Sequence, residues 1–98
     1  MNTIMTTEVF DAWFAGLRDK IAKRRIQARI RLAELGNFGD AKPVGGGVSE
    51  LRVHVGAGYR VYVKQKGAVV YVLLTGGDKS TQEKDTETAL RMAQELGD

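Results

Sequence analysis

Apolar residues near the start of the chain repeat at the spacing of an α-helix. They follow the i, i+3, i+4, i+7 pattern, which places them on one helical face, and they are Phe10, Trp13, Phe14 and Leu17. Thr6 or Thr7 precedes this stretch, and threonine is a residue type that caps helix N-termini. The short apolar stretch before it, NTIM, predicts an edge strand. The pattern therefore predicts a strand followed by an amphipathic helix.

A second helical pattern covers residues 19–37, DKIAKRRIQARIRLAELGN. Its apolar positions share one face, and they are Ala22, Ile26, Ile30 and Ala33, supported by Leu32 and Leu35. Gly36 or Asn37 can adopt the left-handed conformation in which many helices end. Basic residues occupy much of the remaining surface, so this helix is predicted to be amphipathic and strongly basic. The two helices together are predicted to form a hairpin that lies across a sheet.

The second half of the chain changes to the alternating pattern of β-strands. Residues 50–55, ELRVHV, and 59–64, YRVYVK, alternate between apolar and polar positions. Residues 68–75, AVVYVLLT, form a more continuous apolar run, which is typical of a central strand. The glycine-rich stretch 36–50 is predicted to be turn and loop. These features predict a three-stranded antiparallel meander that follows a long loop.

A last helix is predicted after the meander. It has only a weak apolar stripe, made of Ala89, Leu90, Ala93 and Leu96, so we expect it to be lightly packed. Ser80 stands three residues before Glu83, which is the spacing of a capping box. The complete prediction is one α+β domain over residues 1–98, with an N-terminal strand, a helical hairpin, an antiparallel meander sheet and a C-terminal helix.

Composition indicates the class of protein. The 98 residues, of which 43% are hydrophobic and 28% charged, are typical of one globular domain with a modest core. The chain has no cysteine and one histidine, His54, so disulfides and metal sites built from thiolates or several histidines are excluded. The N-terminal residues do not resemble a secretory signal, and no apolar run approaches the roughly 20 residues of a membrane helix. We therefore expect a cytoplasmic protein without a metal or cofactor.

The net charge of +3 is unevenly distributed along the chain. One basic group lies in the second predicted helix and another in the meander, and these are Arg18, Lys20, Lys23, Arg24, Arg25, Arg29 and Arg31, then Arg52, Arg60, Lys64, Lys66 and Lys79. Acidic residues collect near the C-terminus. Such asymmetry is typical of a protein that binds nucleic acid or an acidic protein, although a solvated helix face has the same composition.

Candidate site residues lie on the predicted meander. Residues of like parity share a face of a sheet, so Arg52 and His54 can align with Arg60 and Tyr62. Lys79 follows the last strand at a Gly-Gly pair, where backbone can approach a ligand closely. Guanidinium groups bind phosphate oxygens in pairs, and a tyrosine can stack on a base or assist proton transfer. All of these residue types are also common on ordinary strands and loops, so by themselves they indicate an anion-binding α+β domain.

Two longer segments narrow this interpretation. Residues 44–63, VGGGVSELRVHVGAGYRVYV, and residues 73–85, LLTGGDKSTQEKD, combine the motifs ELR, GYR-x-Y and GGDKSTQ. Together with the order of elements, they resemble the RelE/ParE toxin superfamily of bacterial toxin–antitoxin modules, and more closely its HigB-like addiction-module-killer branch. The similarity covers essentially the whole chain. It implies a RelE-like fold and a small toxin that a cognate antitoxin, often a helix-turn-helix protein encoded beside it, holds inactive.

Ribosome-dependent members of this superfamily cut mRNA without a metal ion. The 2′-hydroxyl attacks the adjacent phosphate, which leaves a cyclic phosphate and a free 5′-hydroxyl. The resemblance assigns Arg52 and Arg60 to the scissile phosphate and Lys79 to a further cation or a proton donor. Glu50 would either orient Arg52 or act as a base.

The residues that transfer protons are not assigned by this resemblance. His54 and Tyr62 are candidates for proton transfer or stacking. Some ribonuclease members use histidines and an acidic residue near the C-terminal end of the sheet, whereas this chain has His54 alone. The general acid and the general base therefore cannot be assigned by resemblance.

The resemblance also assigns the basic second helix to contacts with ribosomal RNA. The candidates for RNA or ribosome binding are Lys20, Lys23, Arg24, Arg25, Arg29, Arg31 and Lys64. Contacts of this kind position a protein on RNA and weaken with added salt.

Two other functions stay open at this point. The first is inhibition of DNA gyrase, as in the ParE toxins, which share the fold. The second is a non-catalytic module of prophage origin that only binds an antitoxin. The GGDKSTQ segment favours the ribonuclease branch.

Overall fold

The computed structural model describes residues 1–97, and within them the chain forms three α-helices and five β-strands, so it is an α+β protein as predicted. In chain order the elements are β1 (Thr3–Thr6), α1 (Glu8–Ala15), α2 (Lys20–Glu34), β2 (Ala41–Gly45), β3 (Val48–Val53), β4 (Tyr59–Gln65), β5 (Val70–Gly77) and α3 (Gln82–Leu96). A 3-10 turn, Lys79–Thr81, leads into α3. None of the helices in the described range is long and apolar enough to cross a membrane.

The five strands form one mixed sheet in the order β1-β5-β4-β3-β2. β1 runs parallel to β5, and every other pair of neighbours is antiparallel. Strands β2 to β5 therefore form a meander. The first strand of the chain, β1, lies at the edge next to β5. The edge position of β1 confirms the predicted edge strand.

β2 occupies a stretch in which the sequence predicted only turn and loop. That prediction is wrong over Ala41–Gly45, which pairs antiparallel with β3, while Gly46 and Gly47 make the connecting turn with φ of 58° and 77°. β2 is a largely exposed edge strand, which is a position that tolerates Pro43 and its missing N–H. Its residues do not alternate between apolar and polar, so pairing with β3 defines it as a strand.

Helices α1 and α2 cover one face of the sheet. Phe10 and Ile26 pack against strand residues in one core, formed with Leu51, Val53, Val61, Val63 and Leu73. Thr7 caps α1, because its hydroxyl oxygen accepts from the Phe10 N–H at 3.0 Å. The same hydroxyl donates to the Leu74 carbonyl at 2.6 Å and thereby joins the helix start to β5. The predicted cap and the predicted packing of both helices across the sheet are confirmed.

Helix α3 covers the opposite face. Its buried residues, Ala89 and Ala93, pack on a second cluster formed with Val48, Tyr62, Val72 and Leu74. This agrees with the expected light packing, because the two leucines of the predicted stripe, Leu90 and Leu96, are half-buried and exposed. This packing positions the start of α3 beside the ends of β4 and β5.

Asp78, not Ser80, begins the last helical segment. Its Oδ1 accepts from the Ser80 hydroxyl at 2.5 Å and from the Ser80 N–H at 2.8 Å, and the hydroxyl hydrogen bond is the main cause that lowers the pKa of Asp78. Thr81, the N-cap of α3, makes no side-chain capping bond, and its hydroxyl donates to Asp85 Oδ2 at 2.5 Å. The predicted capping box is therefore wrong. The 3-10 turn takes its place and holds Lys79 directly after β5.

Candidate functional site

The register of the sheet brings the two predicted strand arginines together. Arg52 on β3 is directly opposite Arg60 on β4, and Arg60 is opposite Gly77 on β5. Directly opposed residues of an antiparallel pair point to the same face. The predicted shared face is confirmed, and it is the face that α3 covers further along the strands.

A hollow of about 410 Å³ lies where the turn between β3 and β4 meets the 3-10 turn. Three of the predicted site residues line it, namely His54, Arg60 and Lys79, and the rest of its lining is Val55, Gly56, Ala57 and Gly58. The backbone N–H of Lys79 lies 3.4 Å from the Ala57 carbonyl that accepts from it, which joins the two turns. This arrangement gives a surface site with two cationic groups and one imidazole.

Glycine at position 58 lets the first of these turns fit between the two cations. Its φ is 76°, a left-handed conformation that favours glycine. A Cβ at this position would lie 3.4 Å from Arg60 Nη1 and 3.5 Å from the Lys79 Cβ. These are ordinary van der Waals distances, so the positive φ, and not a lack of space, favours glycine here.

The Gly-Gly pair before Lys79 has a different role from the one expected. Gly76 and Gly77 are the last two residues of β5 and do not form a turn. A Cβ at Gly76 would overlap the Trp13 ring on one face, and a Cβ at Gly77 would overlap the Asp85 carboxylate on the other. The prediction that this pair approaches a ligand is wrong, because both glycines make room for the protein's own side chains.

Neighbouring protein groups hold the Arg60 side chain in place. Its side chain is only 13% exposed, and Nη1 donates to the Gly58 carbonyl at 2.7 Å. Its Nε is buried, makes no hydrogen bond, and lies 3.7 Å from Glu50 Oε1. Glu50 thus pairs with Arg60, whereas the resemblance implied that it either orients Arg52 or acts as a base.

A buried polar network continues from Glu50 toward α3. The Tyr62 hydroxyl donates to Glu50 Oε2 at 3.1 Å, and the Gln82 amide donates to the same oxygen at 3.1 Å. The Thr86 hydroxyl donates in turn to the Tyr62 oxygen at 3.2 Å. Burial raises the pKa of Tyr62 to about 12, so its phenol stays protonated at neutral pH. Tyr62 is fully buried and does not line the hollow, so the structure separates it from the other predicted catalytic residues.

Arg52 and His54 meet at a residue that the sequence analysis did not identify. Asp40 Oδ1 lies 3.1 Å from Arg52 Nη2, and Asp40 Oδ2 lies 2.5 Å from His54 Nε2. The hydrogen bond from His54, followed by the Arg52 charge, holds the pKa of Asp40 below its ordinary value. Arg52 therefore points to Asp40 and does not line the hollow. Asp40 was missed because it lies in the presumed loop, and only the pairing of β2 with β3 brings it beside Arg52.

Arg29 supports this corner of the sheet. Its Nη1 donates to the Arg52 carbonyl at 2.5 Å, and its Nη2 donates to the carbonyls of Phe38 and Asp40 at 2.7 and 3.1 Å. A Cβ at Gly39, whose φ is 64°, would be 3.1 Å from this guanidinium. Arg29 therefore fixes the chain between α2 and β2, and its guanidinium is occupied by backbone carbonyls.

The other predicted RNA-binding residues of α2 are on the outside of the molecule. Four are exposed, and they are Lys20, Arg24, Arg25 and Arg31, of which Arg31 pairs with Glu34 at 3.3 Å. Lys23 is half-buried, with its Nζ 5.3 Å from the centroid of the Phe14 ring. The helix begins beside the hollow, because a Cβ at Gly56 would lie 2.7 Å from the carboxylate of its N-cap, Asp19.

Lys64 is in a different environment from the other predicted RNA-binding residues. It is buried, and its Nζ donates to the carbonyls of Ala93 and Gly97 at 3.1 and 3.0 Å. Both acceptors are at the C-terminal end of α3, where cations are favourable because of the helix dipole. Lys64 thus holds α3 on the sheet, and its ammonium is not on the surface with the cations of α2.

The chemistry of the site can be read from its lining. Guanidinium, ammonium and imidazole groups line the hollow, and the carboxylates of Asp40 and Asp19 lie next to its lining at His54 and Gly56, so the cationic groups of Arg60 and Lys79 are the ones that suit an anion. Residues 1–97 contain no cluster of three or more histidine, cysteine or acidic side chains that could hold a metal ion. A second hollow of about 270 Å³, on the α1–α2 side, is lined by neutral residues and has no comparable chemistry.

Comparison with known proteins identifies a relative in Haemophilus influenzae. It is 52% identical over 94 residues, which cover 96% of this chain and 95% of that protein, and it is described only as an "Uncharacterized protein". No model of a known protein family matches the chain.

Proposed function

We propose, from the premise that this chain belongs to the same family as the Haemophilus influenzae protein, that it is the toxin of a type II toxin–antitoxin module. Its activity is ribosome-dependent cleavage of mRNA, which inhibits translation. The assignment includes a RelE-like fold of the HigB-like branch, to which the ELR, GYR-x-Y and GGDKSTQ motifs point.

One observation carries this proposal, namely that His54, Arg60 and Lys79 line a single hollow. In the proposed reaction the 2′-oxygen forms a bond to phosphorus while the bond from phosphorus to the 5′-oxygen breaks. One proton leaves the 2′-hydroxyl and another reaches the departing 5′-oxygen. Arg60 and Lys79 stabilise the negative charge that grows on the phosphoryl oxygens. His54 supplies an imidazole, which is the side-chain group that exchanges protons near neutral pH.

The arrangement of elements supports the same proposal. A strand, two helices, a meander and a last helix follow one another in the order on which the resemblance is based, with β2 within the segment that was expected to be a glycine-rich loop. The exposed cations of α2 would contact ribosomal RNA, and the helix begins next to the hollow.

The proposed partner is an antitoxin, a helix-turn-helix protein encoded beside the toxin, that covers the hollow with an acidic segment. Charge complementarity is the physical reason, since the lining of the hollow is cationic. Co-purification with the product of the neighbouring gene, followed by cross-linking at Lys79, tests this partner. A complex whose contacts avoid the hollow would contradict the acidic-segment proposal.

Cleavage on translating ribosomes tests the function itself. Mapping of 5′ ends is expected to show cuts within codons, and Arg60→Ala is expected to slow cleavage by about 10²- to 10³-fold, as for loss of one charge-stabilising group. Arg91→Ala, which removes an exposed arginine from α3, is the matched control and should leave cleavage unchanged.

Intact mRNA at doses that arrest growth would remove the proposed activity. Cleaved DNA held on gyrase under those conditions would favour the gyrase-inhibitor alternative. Absence of growth arrest would favour the non-catalytic antitoxin-binding module.

A further inference from the structure

Glu50 is a buried carboxylate that faces a cation of the proposed site. Its side chain is 2% exposed, and a charge removed from water to this extent requires charged or hydrogen-bonding neighbours. Those neighbours are the Tyr62 hydroxyl, the Gln82 amide and, at 3.7 Å, the Arg60 Nε. Glu50 does not line the hollow, so it has no direct access to a substrate there.

The sheet places the Glu50 carboxylate next to Arg60. Glu50 is opposite Tyr62 and Arg52 is opposite Arg60, so Glu50 and Arg60 are diagonal neighbours on one face. One side of the guanidinium thus faces Glu50, while Nη1 donates to the Gly58 carbonyl. Two of the three guanidinium nitrogens are therefore directed at protein groups, which restricts the orientation of the planar head.

We propose that Glu50 is a positioning residue, which sets the orientation of the Arg60 guanidinium toward a phosphate in the hollow. Gln82 and Tyr62 act through it, because both donate hydrogen bonds to its Oε2. Since Gln82 begins α3, the helix takes part in the site through this hydrogen bond. This inference rests on the proposed function, because the phosphate concerned is the scissile one.

Electrostatics separates positioning from a purely structural role. A negative charge beside an anion site opposes anion binding, so removal of that charge alone must strengthen binding. If Glu50 orients Arg60, its removal has the opposite effect, because the guanidinium loses its alignment. The sign of the change therefore decides between the two roles.

The experiment measures binding of a short RNA whose every 2′-hydroxyl is methylated, so that it cannot be cleaved. Glu50→Gln keeps the size of the side chain and removes its charge. We expect about twofold or greater weakening of binding, the lower end of coupling between residues in contact. We also expect cleavage on ribosomes to slow by about 10²-fold, as for a misplaced catalytic group. In an Arg60→Ala background the same substitution should leave binding unchanged or strengthen it.

A second variant covers the case in which Glu50→Gln fails to fold. Gln82→Ala removes one of the groups that fix Glu50 without changing any charge, and it should weaken RNA binding while circular dichroism stays unchanged. Folded variants that bind RNA as tightly as the parent protein, or more tightly, would overturn the positioning role.

Binding and cleavage also distinguish failure of the two proposals. If the parent protein binds the methylated RNA through Arg60 but does not cut mRNA, the proposed function fails and the binding measurements still decide the role of Glu50. If Arg60→Ala leaves RNA binding unchanged, the positioning role of Glu50 is overturned, and cleavage on ribosomes alone then decides the proposed function.

Discussion

Gly76 and Gly77 have no side chain, and the protein uses the space on both faces of β5. The Trp13 ring fills the space at Gly76, and this ring also lies against Phe10 and Tyr59 with centroid distances of 5.8 and 6.4 Å. The same two glycines were read from sequence as a place for a ligand. A glycine pair can make room either for a ligand or for the protein's own side chains. Which of the two applies depends on the neighbouring groups that fill the space.

Gly76→Ala is expected to destabilise the fold by about 1–3 kcal/mol, the usual cost of overpacking a core. The physical reason is that the new methyl group overlaps the Trp13 ring, which already lies against Phe10 and Tyr59. Urea denaturation measures the free energy of unfolding. Gly67→Ala is the matched control, because a Cβ there meets nothing closer than 3.9 Å. An equal loss of stability in both variants would contradict this account of Gly76.

At the scale of elements, the attachment of α3 to the sheet depends on its two ends. At the N-terminal end Gln82 and Thr86 join the buried network at Glu50 and Tyr62. At the C-terminal end Lys64 binds the last helical carbonyls, which otherwise have no intrahelical partner. The helix is thus fixed at both ends by polar contacts and along its middle by buried alanines.

Lys64→Met is expected to loosen the C-terminal end of α3. It keeps the length of the side chain but leaves carbonyl groups unpaired, at a cost of about 1–3 kcal/mol. Hydrogen exchange should become faster in the last turns of α3 and stay slow in β4 and β5. Lys66→Met is the control, since the Lys66 Nζ makes an exposed bond to the Leu96 carbonyl, and its effect should be smaller. Unchanged exchange in the α3 amides would show that Lys64 does not hold this end.

At the scale of the whole molecule, the two helical layers differ in what they contribute. The α1–α2 layer presents exposed cations, whereas the α3 layer supplies Gln82 and Thr86 to the polar network of Glu50 and Tyr62. The hollow lies at the end of the sheet, and the start of α2 is beside it. Under the proposed function, one RNA chain would contact the hollow and the basic helix together.

This arrangement predicts salt-dependent association with ribosomes. The logarithm of the binding constant should fall linearly with the logarithm of the salt concentration. Arg24→Ala is expected to reduce the magnitude of this slope by about 1, because one phosphate contact is lost. Titrations between about 50 and 200 mM salt measure the slope, and Arg91→Ala serves as the control. A slope that Arg24→Ala leaves unchanged would place the RNA on another face.

By itself the sequence determined the class of fold, the helices and the position of Arg52 and Arg60 on the polar face of their own strands, because these follow from periodicity along a single chain. Tertiary structure alone decided that 41–45 is a strand and that Asp40 meets Arg52. It also decided that Glu50 faces Arg60 and that Lys64 is buried. The physical reason is that each of these depends on pairing between segments distant in sequence, and periodicity carries no information about such partners.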